Sequence, residues 1–415
     1  MTTPRRIVIV GAGLAGATAA ATLRERGFDG EVTLFGRETH EPYELPPLSK
    51  GILLGSADEP DWVRPAGHYA DHTIDLRRGT HIAALRPADH RVVEADGTEH
   101  PYDRLLLATG SRPRTLPGFD GPGVHTLRTL DDSLALRAAL TAGARVVIVG
   151  AGWIGCEVAA AARTHGAEVT VVDPLPQPLL SVLGEQIGAV FRDLHAGHGV
   201  TLRLGTRATG LTAQDGANGG TQDATRVVRL DDGSELPADV VVVGAGAVPS
   251  TGLAEQAGLE LAAGGIAVDA ALRTSAPDVY AAGDIAAHDH PRHDGRVRVE
   301  HWSNAKEQGA HVAGNLLGGD EPYTAEPYFF SDQYDLGCEY RGLADPARDE
   351  LTVRGTTASR EFIAFWRRDG RVTAALNVNA WDDGDALQAL VDNRAQVSAQ
   401  QLAEADLGKL AAGAR

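Results

Sequence analysis

The 415-residue sequence carries 38 basic and 56 acidic residues, and its formal net charge of −18 argues against a general binder of the nucleic-acid backbone. Its two cysteines exclude a disulfide framework and a four-cysteine zinc or iron–sulfur site. No apolar run approaches the roughly 20 residues that span a bilayer, and the first apolar run breaks at glycines instead of a cleavage site, so a cytoplasmic protein off the membrane is expected.

In chain order, residues 7–10 read as a buried strand, followed by Gly11-Ala-Gly13-Leu-Ala-Gly16 and an alanine-rich helix over 17–26. Gly27 and Gly30 stop that helix, and 31–35 is the next strand. Residues 104–113 form a buried strand ending in a turn. The opening pattern then repeats: a strand at 145–149, Gly150-Ala-Gly152-Trp-Ile-Gly155, a helix over 156–165, and a strand over 168–172 closing on Asp173. The segment 214–226, rich in Gly, Asp, Asn and Thr, reads as a solvated hairpin loop. Residues 238–249 are a sister of 104–113, 272–284 a strand ending in Gly283-Asp284, and 304–317 a helix. After about Tyr323 the glycine loops cease; 361–368 and 372–379 pair around Asp369-Gly370, and 386–391 and 399–410 read as helices.

A glycine triplet between strand and helix binds a pyrophosphate. Its first glycine makes the tight turn, the second admits the phosphates, and the third lets helix pack on strand with N–H groups aimed at the anion. Both triplets lie in that context, which disfavours mere packing glycines. Asp173, 23 residues past Gly150, is placed to accept from an adenosine 2′-hydroxyl and repel a 2′-phosphate, which favours NADH over NADPH. In the first unit either Arg37 replaces the acid or a one-residue shift brings in Glu38.

Only three of the basic residues are lysines: Lys50, Lys306 and Lys409. Where arginine serves almost everywhere, a retained lysine suggests a need for a compact ammonium.

Glu41-Pro-Tyr-Glu-Leu-Pro-Pro-Leu-Ser-Lys50, Thr109-Gly110, Leu127-Arg128-Thr-Leu-Asp131, Gly152–Glu157, Gly283-Asp284, Glu300-His-Trp302-Ser-Asn-Ala305 and Pro327-Tyr-Phe-Phe-Ser-Asp-Gln-Tyr334 together resemble the ferredoxin-reductase-like FAD/NAD(H) flavoproteins. That family includes putidaredoxin reductase and other oxygenase-coupled ferredoxin reductases, and is related to apoptosis-inducing factor. The resemblance implies an α/β fold with two Rossmann-like dinucleotide-binding domains and a C-terminal α+β interface domain. The FAD domain (1–113 and 247–323) would be split by the NAD domain (114–246), with the interface domain at 324–415.

Carried over to this sequence, Gly11, Gly13, Ala15 and Gly16 would hold the FAD pyrophosphate. Asp284 would bind the ribityl or pyrophosphate region, Arg128, Thr109 and Gly110 would contact FAD, and Ile82 would offer backbone to the adenine. Trp302 would lie by the flavin ring, and Lys50 near its N5, paired with Glu157. Gly150, Gly152, Ile154, Gly155 and Asp173 would hold NADH, with Gly246 on the nicotinamide side. A preorganised cation there stabilises the charge a hydride brings, and a buried ammonium needs a paired acid. The plain alternatives are a surface lysine after a Pro-Pro turn and an exposed helix-start glutamate.

The implied activity is an NADH-dependent ferredoxin reductase feeding a [2Fe–2S] or similar ferredoxin, and through it a cytochrome P450 or other oxygenase, as a monomer or weak homodimer. An acidic ferredoxin would need a local cationic patch, from Arg77, Arg78, Arg292, Arg296, Arg298, Arg341, Arg367 or Arg368. NADH oxidase, quinone reductase and NADH-sensing flavoprotein are the competing readings.

Cys156 and Cys338 read as small buried hydrophobes, not as a redox pair. His288, His290 and His293 read as a solvated loop and not a metal site. Trp153 packs either over the cofactor or in a helix–sheet contact.

Overall fold

The computed structural model describes residues 4–214, 225–293 and 295–414. The predicted loop at 214–226 falls almost wholly outside them, as does Asp294. Contacts divide the chain into two compact units.

The first unit comprises Met1–Glu44, Pro60–Arg112 and Ala247–Pro327. Its centre is a five-stranded parallel sheet in the order Val279–Ala281, Arg104–Leu107, Arg6–Val10, Glu31–Phe35, Ile74–Arg77. A parallel sheet is covered on both faces, which is why its strands are near-continuous Val, Ile and Leu. The helix Leu14–Glu25 lies on it, with Ala17, Ala19, Ala20 and Ala21 fully buried. Small side chains let the helix Trp302–Leu316 come so close that a Cβ on Gly309 would strike the Ala15 carbonyl oxygen.

The second unit comprises Leu45–Glu59, Pro113–Gly246 and Tyr328–Arg415. It repeats the parallel design in the order Thr201–Leu204, Glu168–Asp173, Arg145–Val149, Val240–Val243, Val124–His125. It also holds an antiparallel sheet in the order Tyr328–Gln333, Leu336–Gly342, Arg371–Val378, Glu361–Arg368, Glu350–Thr356. Both faces of that sheet are buried, and the two-residue period of a strand sorts them. Phe362, Ala364 and Trp366 meet Leu183, Ile187 and Phe191 of the helix Leu180–Gly197. Ile363 and Phe365 meet Leu387, Leu390 and Leu402 of the terminal helices.

Four details differ from the sequence reading. Residues 45–59 group with the second unit, because Leu53 is buried in its core and Leu48, Ile52 and Leu53 offer carbonyls to Ser133, Arg137 and His165. The predicted strand at 272–284 shrinks to Val279–Ala281, since Leu272 (φ 68°) and Asp278 (φ 65°) are left-handed. The predicted helix at 399–410 is two, Ala399–Glu404 and Leu407–Gly413, with extended Ala405 between them and Asp406 capping the second through Lys409 N at 3.0 Å. His288 and His290 do not form a solvated loop: they are 1% and 3% exposed, and His288 lies in the strand Ala286–Asp289. Burial lowers the pKa of His288 to about 4.

Candidate active site

In the first unit the glycine loop sits at the carboxyl end of the central strand, where open parallel sheets bind ligands. Gly11 has φ 113°, and a Cβ there would run into the Ala108 carbonyl. A Cβ on Gly16 would meet the Gly11 carbonyl, so helix and loop touch at that point. Around Gly13, by contrast, a Cβ would meet nothing within 4 Å. The open space lies where a pyrophosphate has to approach the backbone, and the helix Leu14–Glu25 begins beside it. These residues fit a dinucleotide.

The second unit repeats each feature. Gly150 has φ 115° and abuts Gly244, Gly155 abuts Gly150, and Gly152 faces space empty to 4 Å. Ile154 follows in the first helical turn, 42% exposed. Asp173 ends the adjacent strand, and its carboxylate accepts from Ala151 N (2.7 Å) and Leu175 N (2.8 Å). The acid is thus fixed against the glycine loop. Gly246 is left-handed (φ 92°), with its carbonyl bonded to Arg114 N.

Register decides the comparison between the loops. Gly11 N bonds Phe35 O, and Gly150 N bonds Val172 O. The residue matching Asp173 is therefore Gly36, not Arg37 or Glu38. A Cβ on Gly36 would lie 2.8 Å from that of Ala12, which closes the position to any acid. Arg37 and Glu38 follow, both exposed, and Glu38 accepts from the Tyr43 hydroxyl at 2.5 Å.

Elsewhere in the first unit, Ile82 is 3% exposed at a strand start, and Thr109 Oγ1 donates to Ser250 O at 3.0 Å. Gly110 is left-handed (φ 62°). Asp284 is buried in the 3-10 turn Gly283–Ile285, which Gln308 holds through Gly283 N at 2.9 Å. A Cβ on Gly283 would lie 3.1 Å from that of Ala15, which brings this turn to the start of the glycine-loop helix. Trp302 opens the helix Trp302–Leu316. Its indole N–H donates to Glu44 at 2.9 Å, and Lys306 lies 4.9 Å over its ring.

Lys50 and Glu157 meet in the second unit. Lys50 Nζ lies 2.9 Å from Glu157 Oε2 and 5.3 Å from the Phe330 ring centre. Its side chain is 17% exposed and that of Glu157 only 4%, so neither is the surface residue of the plain reading. Glu157 also accepts from Ser49 and, at 2.6 Å, from Ser331 Oγ. Three donors, one of them charged, make a carboxylate tolerable at this depth. Nearby, burial raises the pKa of Asp332; Lys50 opposes the rise, while Glu157 and Glu339 add to it. Arg128 precedes the helix Leu130–Ala139, its backbone N–H bonded to Asp132 at 3.1 Å.

Sequence reasoning missed Glu44, Ser49 and Ser331. The first two lie inside the motif that ends in Lys50, and Ser331 inside the one at 327–334, so the motifs held the signal without the pairing. Trp153 packs edge-on, 5.6 Å from the Phe191 ring and 4.9 Å from that of Phe329. Of the arginines expected to supply a cationic patch, Arg78 is exposed, and the others have partners within the chain. Arg341 and Arg367 are buried and bound to Glu339 and Glu350, while Arg368 holds Asp349 and Arg298 holds Glu300. Arg292 faces Glu326, Arg296 donates to Val268 O and Ala287 O, and Arg77 pairs with Asp75. Both cysteines are buried, their thiol pKa values raised by desolvation.

Among the described residues no helix is long and apolar enough to cross a membrane, and no His, Cys, Asp and Glu cluster could hold a metal ion.

Residues 5–309 match the family described as pyridine nucleotide-disulphide oxidoreductase, and residues 328–411 the reductase C-terminal family. The chain is 42% identical to the anthranilate 1,2-dioxygenase system ferredoxin–NAD(+) reductase component of Burkholderia cepacia, over 97% of each chain. It is 41% identical to the 5,5'-dehydrodivanillate O-demethylase ferredoxin reductase subunit of Sphingobium, over 96% of each. The structure of the covalent putidaredoxin reductase–putidaredoxin complex superposes with a TM-score of 0.93 at 36% identity, covering 100% of this chain and 99% of that one. With matching glycine cradles and whole-length relatives, this chain belongs to the pyridine nucleotide-disulphide oxidoreductase family, in its ferredoxin-reductase branch, and is an oxidoreductase of FAD and a nicotinamide cofactor.

Proposed function

We propose that this chain is an NADH-dependent ferredoxin reductase that feeds an oxygenase, such as a cytochrome P450, through a small iron–sulfur protein. The carrying observation is the whole-length similarity to oxygenase-system ferredoxin reductases. FAD, when bound, takes a hydride from NADH and passes electrons on singly.

The chain's residues serve that chemistry as follows. Gly11, Gly13, Ala15 and Gly16 hold the FAD pyrophosphate, with Asp284 at the neighbouring turn and Ile82, Thr109, Gly110, Arg128 and Trp302 as further contacts. Gly150, Gly152, Ile154 and Gly155 cradle NADH, and Gly246 lines its nicotinamide side. Asp173 accepts from the ribose hydroxyl and repels a 2′-phosphate, which supports NADH over NADPH. Lys50, paired with Glu157, supplies the fixed cation that reduction requires. The functional parts remain three: FAD-binding (1–113 and 247–323), NAD-binding (114–246) and a C-terminal ferredoxin interface (324–415). The protein works in the cytoplasm, as a monomer or weak homodimer, with no role for nucleic acid.

The test is NADH-driven cytochrome c reduction with and without an added [2Fe–2S] ferredoxin. The ferredoxin should raise the rate at least about tenfold. An unchanged rate, with fast oxygen or quinone turnover by the protein alone, would overturn the reading in favour of an oxidase.

A further inference from the structure

A line of polar side chains crosses the core of the second unit. Glu157, Ser331, Gln333 and His195 are 4%, 1%, 1% and 1% exposed. Leu183, Ile187, Leu194, Phe329 and Leu336 belong to one hydrophobic cluster of the same unit. Gln333 Nε2 lies 3.2 Å from Ser331 Oγ, and Gln333 Oε1 lies 2.9 Å from His195 Nε2. Beyond His195, Tyr334 OH stands 3.5 Å from Nδ1, and the Tyr334 ring stacks on that of His198 at 3.7 Å. Burying such groups costs free energy that leucine at the same places would not.

The direction of each hydrogen follows from the carboxylate. Ionised Glu157 only accepts, so Ser331 O–H donates to it. Ser331 Oγ can then only accept, so the Gln333 NH₂ faces Ser331 and its oxygen faces the imidazole. His195 must therefore carry its proton on Nε2. Burial lowers the pKa of His195 to about 4, so at neutral pH that is its one proton. Every donor in the line points toward Glu157, and aligned hydrogen bonds polarise one another.

We propose that Ser331, Gln333 and His195 are positioning residues that hold the Glu157 carboxylate in place as the partner of the Lys50 ammonium. The idea rests on the role given to Lys50 above and extends it. The other titratable groups facing Glu157 are Lys50 itself, Asp332 and the buried thiols of Cys156 and Cys338, and His198 faces His195.

The test is an infrared pH titration of the FAD-loaded enzyme, with the Glu157 carboxyl band identified by its loss in Glu157→Gln. Ser331→Ala should bring the protonated band in at a pH about one unit or more above wild type. The acid limb of the NADH-driven rate should rise with it. Ser331→Thr should restore both, and Gln333→Met and His195→Asn should shift them by smaller steps. Variants that lose thermal stability while band and acid limb stay at wild-type pH would overturn the proposal, and the two remote variants decide it if Ser331→Ala does not fold. Lys50→Met is read separately. If it keeps full activity while Ser331→Ala still moves the band, the role of Lys50 falls and the hold on Glu157 stands.

Discussion

Lys50 and Glu157 form one unit of charge, and breaking it from either side should differ. Lys50→Met removes the cation but leaves a carboxylate with two hydroxyl donors. NADH-driven flavin reduction, followed by stopped-flow absorbance, should slow by about 10²-fold, the scale of losing one preorganised charge-stabilising group. Wild-type kinetics would remove Lys50 from the site. At Asp173, asparagine keeps an acceptor for only one of Ala151 N and Leu175 N, which bond separate carboxylate oxygens, and removes the charge. Asp173→Asn should narrow the kcat/KM preference for NADH over NADPH by about tenfold, and an unchanged ratio would end the ribose assignment. Lys50 was legible because the sequence spends lysine so sparingly. The Glu157 surroundings were not, since Ser331 lies 174 residues away along the chain and only folding brings it to the carboxylate.

At the scale of elements, the two glycine loops make opposite predictions for neighbouring glycines. Gly152→Ala adds a methyl to empty space, so the unfolding midpoint of the nucleotide-free protein should hold while NADH binding, measured by equilibrium titration, weakens about tenfold or more. Gly155→Ala drives a methyl into the Gly150 carbonyl and should destabilise the fold by about 1–3 kcal/mol. If both variants behave alike, the division of labour between the glycines is wrong. Both glycine-loop units could be read from sequence because strand, loop and helix are local. The first strand–loop pairing misled at Arg37 and Glu38, because the counting reference is a backbone bond, Gly11 N to Phe35 O, that no spacing rule reveals. The histidine run looked like a loop for a related reason. Polar composition suggested solvent, yet His288 pairs its backbone with Val268 and Val297 inside a sheet.

For the whole molecule, His195, His288 and His301 each have their pKa lowered by burial to about 4. The unfolded chain charges the same imidazoles near 6.5. It therefore binds more protons in that window, so stability is full above about pH 6.5 and drains away toward pH 4. Thermal unfolding followed by circular dichroism should show a midpoint falling by several degrees across that range, less steeply in His195→Asn. A midpoint flat from pH 6.5 to 4.5 would contradict the buried neutral state.

The edge-on packing of Trp153 between Phe191 and Phe329 reaches beyond this chain. Trp153 begins the nucleotide-loop helix, and Phe329 belongs to the segment matched as a separate family. Family boundaries invite recombination at 328, trading the final domain between relatives to change electron acceptors. Such a swap would graft a foreign wall against this indole and replace the serine that bonds Glu157. The safe seam for a chimera is therefore not a point in the sequence but a surface, and Trp153, Glu157, Phe191 and the Ser49-Lys50 pair would have to travel with the domain they hold.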